Sequence, residues 1–216
     1  MKKGAIFDMD GLLFDTERLF QESWKAMADQ FGQVHDPAFP AAVAGTRGEG
    51  MLAVIHKYYP AVDPQAFMDG CINRTAEIVR RELPEKPGMR EILAFFHERG
   101  VKLAVASSSG REMIEGNLRR AGVLELFDAV VSGQEVQRGK PEPDIFLLAA
   151  RQLGCAPEDC YVFEDGINGV RAGIAAGCAT VMIPDLMPPT EGLRAGSAGI
   201  YPSLLEARDA IEAGIC

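Results

Sequence analysis

From residue 87 onward, short β-rich runs alternate with helical patterns, and that alternation leaves the chain few folds to choose from. The runs are Val101 to Ala106, Ala129 to Ser132, Tyr161 to Phe163 and Thr180 to Ile183. An earlier run, Gly4 to Phe7, is too short for a stable helix and apolar enough for a buried strand. Strands separated by helical crossovers predict an α/β architecture with a doubly wound parallel sheet. Residues 16–83 break the alternation, because they contain no convincing strand. Phe20, Trp24, Met27 and Phe31 fall on one helical face before Gly32 ends the pattern, and residues 48–59 and 64–82 are also helical in pattern. The expectation is an all-helical insertion, 16–83, within an α/β domain made of 1–15 and 84–216. Its borders are the Gly11–Asp15 loop and LPEKPGM, where Pro84, Pro87 and Gly88 punctuate the chain. Two connections into one insertion form a hinge pair suited to a lid. A chain of 216 residues is long enough for one ordinary domain plus such an insertion.

The opening strand ends in Asp8 and Asp10, one residue apart. In an open α/β sheet, ligands bind at the carboxyl ends of the strands. Side chains alternate along a strand, so the two acids can share a face while Met9 points into packing. Neighbouring carboxylates repel unless a cation or a shared proton intervenes. Hard oxygen ligands of this kind suit Mg²⁺, which usually works on phosphate groups. Taken alone, Asp-x-Asp is equally read as two solvated acids at a strand-to-loop turn.

Composition narrows the partners. With 22 basic against 31 acidic residues the net charge is -9, which argues against a nucleic-acid footprint. A hydrophobic fraction of 47% with 25% charged residues fits a soluble globular protein. No run approaches the length of a membrane helix, and MKKGAIFDMDG lacks the apolar segment of a signal peptide. Cys71, Cys155, Cys160, Cys178 and Cys216 form no C-x-x-C pair and read as reduced cytosolic thiols. His35, His56 and His97 lie far apart and suggest no zinc motif.

Three further stations fall where this topology would bring them near Asp8. The strand KLAVA runs into Ser107, Ser108, Ser109 and Gly110 before a helical pattern. Hydroxyls and backbone N–H groups at a helix start can cradle phosphate, although a plain N-cap serine explains the same residues. In GKPEPDIFLLAARQLG, Pro141 and Pro143 set the start of a helix that ends near Gly154 and would orient Lys140. That lysine is either exposed or a fixed ammonium for phosphate charge. The run YVF ends in Glu164 and Asp165, followed by GINGVRAG. This second acidic strand end could complete an oxygen-rich cation site with Asp8 and Asp10. Gly166 and Gly169 match no dinucleotide fingerprint, and no P-loop motif occurs.

FDMDGLLFDTE, the strand-end Ser107, Lys140 in GKPEPDIF and the acidic pair of FEDGINGVRAG together resemble the haloacid dehalogenase superfamily of phosphohydrolases. The match spans nearly the whole chain, with the motifs in the family's order and spacing. It implies a Rossmann-like core, and the helical insertion resembles the type-one cap of the subgroup holding beta-phosphoglucomutase and many small sugar-phosphate phosphatases. Carried onto this sequence, the resemblance implies that Asp8 attacks phosphorus and forms an aspartyl-phosphate. Asp10 would protonate the leaving oxygen and later activate water. Mg²⁺ would be held by Asp8, the backbone carbonyl of Asp10 and Asp165, with Glu164 in or near the same shell. Ser107, the N–H of Ser108 and Lys140 would grip the phosphoryl oxygens. Dehalogenation is not implied, since it needs no metal and no second acid at the Asp10 position.

Substrate choice would fall to the cap. Its loop Gly45, Thr46, Arg47 and Gly48 and the later Arg74 offer cations for a second anionic group, or simply a solvated face. The mutase pattern has a histidine where this chain has Phe20, and its loop arginine falls nearer Gly48 than Arg47. Both departures favour hydrolysis over the alternative, a phosphosugar mutase. A receiver-type signalling module and a catalytically silent binding protein on the same fold are the readings from other classes; the first is shorter and lacks the insertion. The expectation is a cytoplasmic, Mg²⁺-dependent phosphatase of small phosphorylated metabolites, sugar or polyol phosphates foremost. It has no nucleic-acid or membrane partner and acts as a monomer, with a dimer left open.

Overall fold

The structure, a computed structural model, describes every residue except Ala44, Gly45, Arg47, Leu186 and Met187. Six strands form a single parallel sheet: β1 (Gly4–Phe7), β2 (Lys102–Ser107), β3 (Ala129–Ser132), β4 (Cys160–Glu164), β5 (Ala179–Met182) and β6 (Gly199–Ile200). Their order is β3-β2-β1-β4-β5-β6, so the winding reverses beside β1. This is the doubly wound arrangement that the alternation predicts, and its crevice lies at the C-terminal end of β1. Alternating side chains send Ile6 and Phe7 to opposite faces. Ile6 packs into a cluster with Phe146 and Ala149 of helix Asp144–Leu153. Phe7 stacks on Phe163 at 4.7 Å and meets Phe96, from helix Met89–Glu98, edge-on at 6.3 Å.

The expected strands all form, with ends displaced by a residue or so. β6 escaped the sequence reading, because two residues carry no period.

Residues Thr16–Leu83 form one compact unit, and Met1–Asp15 with Pro84–Cys216 form the other. The first unit is wholly helical: α1 (Thr16–Gln30), α2 (Phe39–Val43), α3 (Glu49–Tyr58) and α4 (Pro64–Arg81). Asp63 starts α4 by accepting from the N–H groups of Gln65 and Ala66, with Pro64 at the first helical position. Trp24, Phe39, Tyr59 and Phe67 form its aromatic core. Ser23 of α1 and Thr75 of α4 share a buried hydrogen bond of 2.8 Å. The five-residue α2 was not foreseen, since FPAAV is too short to show a helical face.

Where the sheet unit gives way to this insertion, the two connecting strands of chain run side by side. Asp15 N–H donates to Pro84 O and Lys86 N–H to Leu13 O, each at 2.9 Å, around an antiparallel bridge between Phe14 and Glu85.

Candidate active site

The register of the sheet assembles the site. Phe7 pairs with Val105 on one side and Phe163 on the other, so the next residue, Asp8, is level with Ala106 and Glu164. Asp8 N–H closes the ladder onto Phe163 O at 3.0 Å. Lys140 reaches in ahead of the helix Asp144–Leu153 and joins the two strand ends. Its Nζ lies 2.5 Å from Asp8 Oδ1, 2.6 Å from Glu164 Oε1 and 3.2 Å from Ala106 O, above the Phe146 ring. All three charged side chains are buried, with 7%, 9% and 3% of the Lys140, Asp8 and Glu164 side chains exposed. Such a triad holds only because every charge has a partner.

Glu164 is committed at both oxygens, since Oε2 accepts from Gly166 N–H at 3.0 Å. Its carboxylate folds back on the first turn of the helix Ile167–Ala175, where the helix dipole favours negative charge. Space for it exists only because residue 169 is glycine: a Cβ there would stand 1.7 Å from Glu164 Oε1. Sequence reading noted Gly169 without giving it a role, although a glycine one helical turn after a strand-end acid was the available signal. Gly169→Ala is therefore expected to expel the Glu164 carboxylate and unseat Lys140. Turnover should fall at least tenfold and the melting temperature by several degrees, read by a phosphate-release assay and a thermal melt.

Burial pushes the Asp8 carboxyl up, to about 7; the Lys140 ammonium opposes the shift, while the charges of Glu164 and Asp10 add to it. Burial works against the Lys140 ammonium too, but its two carboxylate partners overcome that and hold its pKa above the usual lysine range. Carboxylate oxygens of Asp8, Glu164 and Asp165 lie within 4.8 Å of one another. Every donor of this cluster is a carboxylate oxygen, so the site fits a hard divalent cation. Close packing keeps this cluster in place: Gly11 has φ +83, and a Cβ on it would lie 2.5 Å from Asp165 Oδ2. The Asp10 carboxylate points elsewhere. Its Oδ2 accepts from Ser109 Oγ at 2.7 Å and from Ser107 Oγ at 3.3 Å.

Asp8, Lys140, Glu164 and Asp165 thus meet at one place, with Asp10 and Ser107 beside them. Ser108 follows Ser107 in the same turn and is half-buried. Ser109, not singled out by sequence, makes the shorter bond to Asp10; three serines in a row gave no sign of which one would face the acid. In the helical unit, Phe20 packs on Trp24 with ring centroids 6.3 Å apart. It lines an apolar cavity of about 190 Å³ with Trp24, Phe39, Met51 and Phe67. Arg74 is exposed on α4, while Gly45 and Arg47 lie outside the described residues.

Residues 2–177 match the sequence model of the haloacid dehalogenase-like hydrolases. The chain belongs to that family. This haloacid dehalogenase-like hydrolase is 36% identical over 189 residues to a Drosophila melanogaster protein named "Probable pseudouridine-5'-phosphatase", covering 84% of this chain and 81% of the relative. It is 33% identical over 176 residues to the phosphorylated carbohydrates phosphatase of Thermotoga maritima, covering 81% of this chain and 82% of the relative. A solved hydrolase of the same family from Deinococcus radiodurans R1, with bound phosphate and sodium, is 32% identical and superposes with a TM-score of 0.83, covering 99% of this chain and 97% of that one. Among the described residues of this hydrolase, no helix is long and apolar enough to cross a membrane.

Proposed function

We propose that this hydrolase is a Mg²⁺-dependent phosphatase of small phosphorylated metabolites, sugar or polyol phosphates foremost, working through an aspartyl-phosphate on Asp8. The observation that carries the reading is the Asp8–Lys140–Glu164 triad: a buried strand-end carboxylate clamped by an ammonium, with a second acid, Asp10, close by on separate supports. Mg²⁺, which Asp8, Asp165 and the Asp10 carbonyl would hold with Glu164 in or near the same shell, would neutralise phosphoryl charge. Lys140 fixes one Asp8 oxygen, so the carboxylate presents the other to phosphorus. A bond forms from that oxygen to phosphorus, the bond to the leaving oxygen breaks, and Asp10 gives that oxygen a proton. Asp10 then takes a proton from water, whose oxygen attacks phosphorus and releases phosphate from Asp8. Ser107 and the Ser108 N–H, with Lys140, would hold the transferring oxygens.

The helical unit serves in this reading as the substrate-selecting cap, with Arg74 its candidate anion contact. Phe20 favours water as the acceptor, since its ring can neither hydrogen-bond nor exchange a proton and is engaged with Trp24. The name of the Thermotoga maritima relative supports phosphorylated carbohydrates as the class. The protein acts in the cytoplasm, a reading supported by its five free thiols, and as a monomer, with a dimer the alternative.

The test is phosphate release from a panel of sugar, polyol and nucleoside phosphates with Mg²⁺ and after exhaustive EDTA treatment. Release that requires the cation is expected, and full activity in EDTA would refute the metal assignment. β-Glucose 1-phosphate with Mg²⁺ and a trace of bisphosphate primer should yield free phosphate. Glucose 6-phosphate forming much faster than phosphate would make the mutase the better reading.

A further inference from the structure

Asp10 is held by side chains from β2 and the turn that follows it, and the two bonds it accepts there are not equivalent. Ser107 lies at the end of β2 and is buried, and its hydroxyl oxygen also accepts from Ser109 N–H at 3.1 Å. A hydroxyl has one proton to donate. Once the Ser107 hydroxyl donates to a phosphoryl oxygen, as in the proposed reaction, that proton is withdrawn from Asp10. Of these two bonds the Ser109 one, the shorter at 2.7 Å, is then the one that still holds Asp10.

The backbone that carries Ser109 is itself pinned. Its carbonyl accepts from Ser132 Oγ at 2.7 Å. Ser132 is the sheet partner of Ser107, and its hydroxyl oxygen also accepts from Gln134 N–H at 3.2 Å. Ser109 Oγ is therefore delivered by two paired strands rather than by a free loop.

We infer that Ser109 is the positioning residue for Asp10: its hydroxyl holds Oδ2 so that the carboxylate is aimed first at the leaving oxygen and then at the attacking water. The inference rests on the proposed function, because it assigns Ser109 to the residue that handles protons there. p-Nitrophenolate leaves without needing a proton, so with p-nitrophenyl phosphate a misaimed Asp10 slows only the release of phosphate from Asp8.

The experiment compares Ser109→Ala, Ser109→Thr and the wild type on p-nitrophenyl phosphate with Mg²⁺, measuring kcat, KM and the phosphorylated fraction by rapid quench and intact mass. Ser109→Ala should lower kcat and KM together by about tenfold, leave kcat/KM within about twofold, and accumulate phosphoenzyme. Ser109→Thr, which keeps the hydroxyl, should restore wild-type values. An unchanged kcat, a lower kcat without phosphoenzyme, or a raised KM at full kcat would overturn the inference, the last by placing Ser109 on the substrate. If Ser109→Ala does not fold, Ser132→Ala unpins the same backbone and should show the same signature more weakly; wild-type kinetics there would count against the inference. Failure of the underlying reading is distinguishable: Asp10→Asn would then turn over or bind substrate yet never carry phosphate on Asp8.

Discussion

Asp8→Asn is expected to leave a folded protein that turns over at about a thousandth of the wild-type rate or less. The amide has nearly the volume of the carboxylate and its oxygen can still accept from Lys140, so packing around a residue only 6% exposed is preserved. What disappears is the proposed nucleophile. Charge crowding also falls, because one of the three clustered carboxylates becomes neutral. The melting temperature should accordingly stay within a few degrees of wild type. Steady-state assay, thermal melt and intact mass after substrate addition check the claim together. A wild-type-like rate, or phosphate still attached at Asp8→Asn, would refute the covalent role.

The second large effect lies at Lys140. Lys140→Met keeps the apolar part of the side chain and deletes the ammonium that lies over the Phe146 ring and is shared by Asp8 and Glu164. Removing one partner of a buried ion pair typically costs about 3–5 kcal/mol, and here one deletion strands two carboxylates. For a chain of this size that is about 10 °C in melting temperature. Activity should fall at least about a hundredfold, since the same ammonium would face the transferring phosphoryl group. The pH dependence has a definite sign. Burial already raises the folded-state pKa of Asp8 to about 7, so its contribution to stability is complete below the ordinary carboxyl value of 3.8 and lost as pH rises through 7. Without Lys140 that pKa moves further up. Melts in EDTA should therefore show the variant's deficit level well below pH 7 and growing above it, and a deficit that shrinks above pH 7 would contradict the triad.

The parallel sheet was legible because its inner strands are continuous apolar runs between turn residues, and β1 ends in the acids that mark the crevice. Lys140, Glu164 and Asp165 were legible as residues at strand and helix ends, and the sheet order then brings them to Asp8. Other features resisted reading for physical reasons. Ser109 sits among three like residues, and only the third dimension shows which hydroxyl meets Asp10. Gly169 matters through the Glu164 carboxylate that folds back onto it from five residues earlier, and its spacing from that acid hints at the contact without showing the rotamer that makes it. Phe20 was legible as sharing a helical face with Trp24, and what the structure adds is the apolar cavity that the two line.

The paired backbone rungs at Asp15–Pro84 and Leu13–Lys86 bear on how such a protein changes over time. Because the inserted segment departs and rejoins at adjacent points already tied together, its length and composition can vary without altering the spacing of β1 and β2 or the acids they carry. Insertions placed at such neighbouring termini are the ones that folds tolerate. Selection can therefore rework this 68-residue helical unit while Asp8 and the residues around it stay untouched, and a laboratory can exchange that segment between relatives by cutting at the same two peptide rungs.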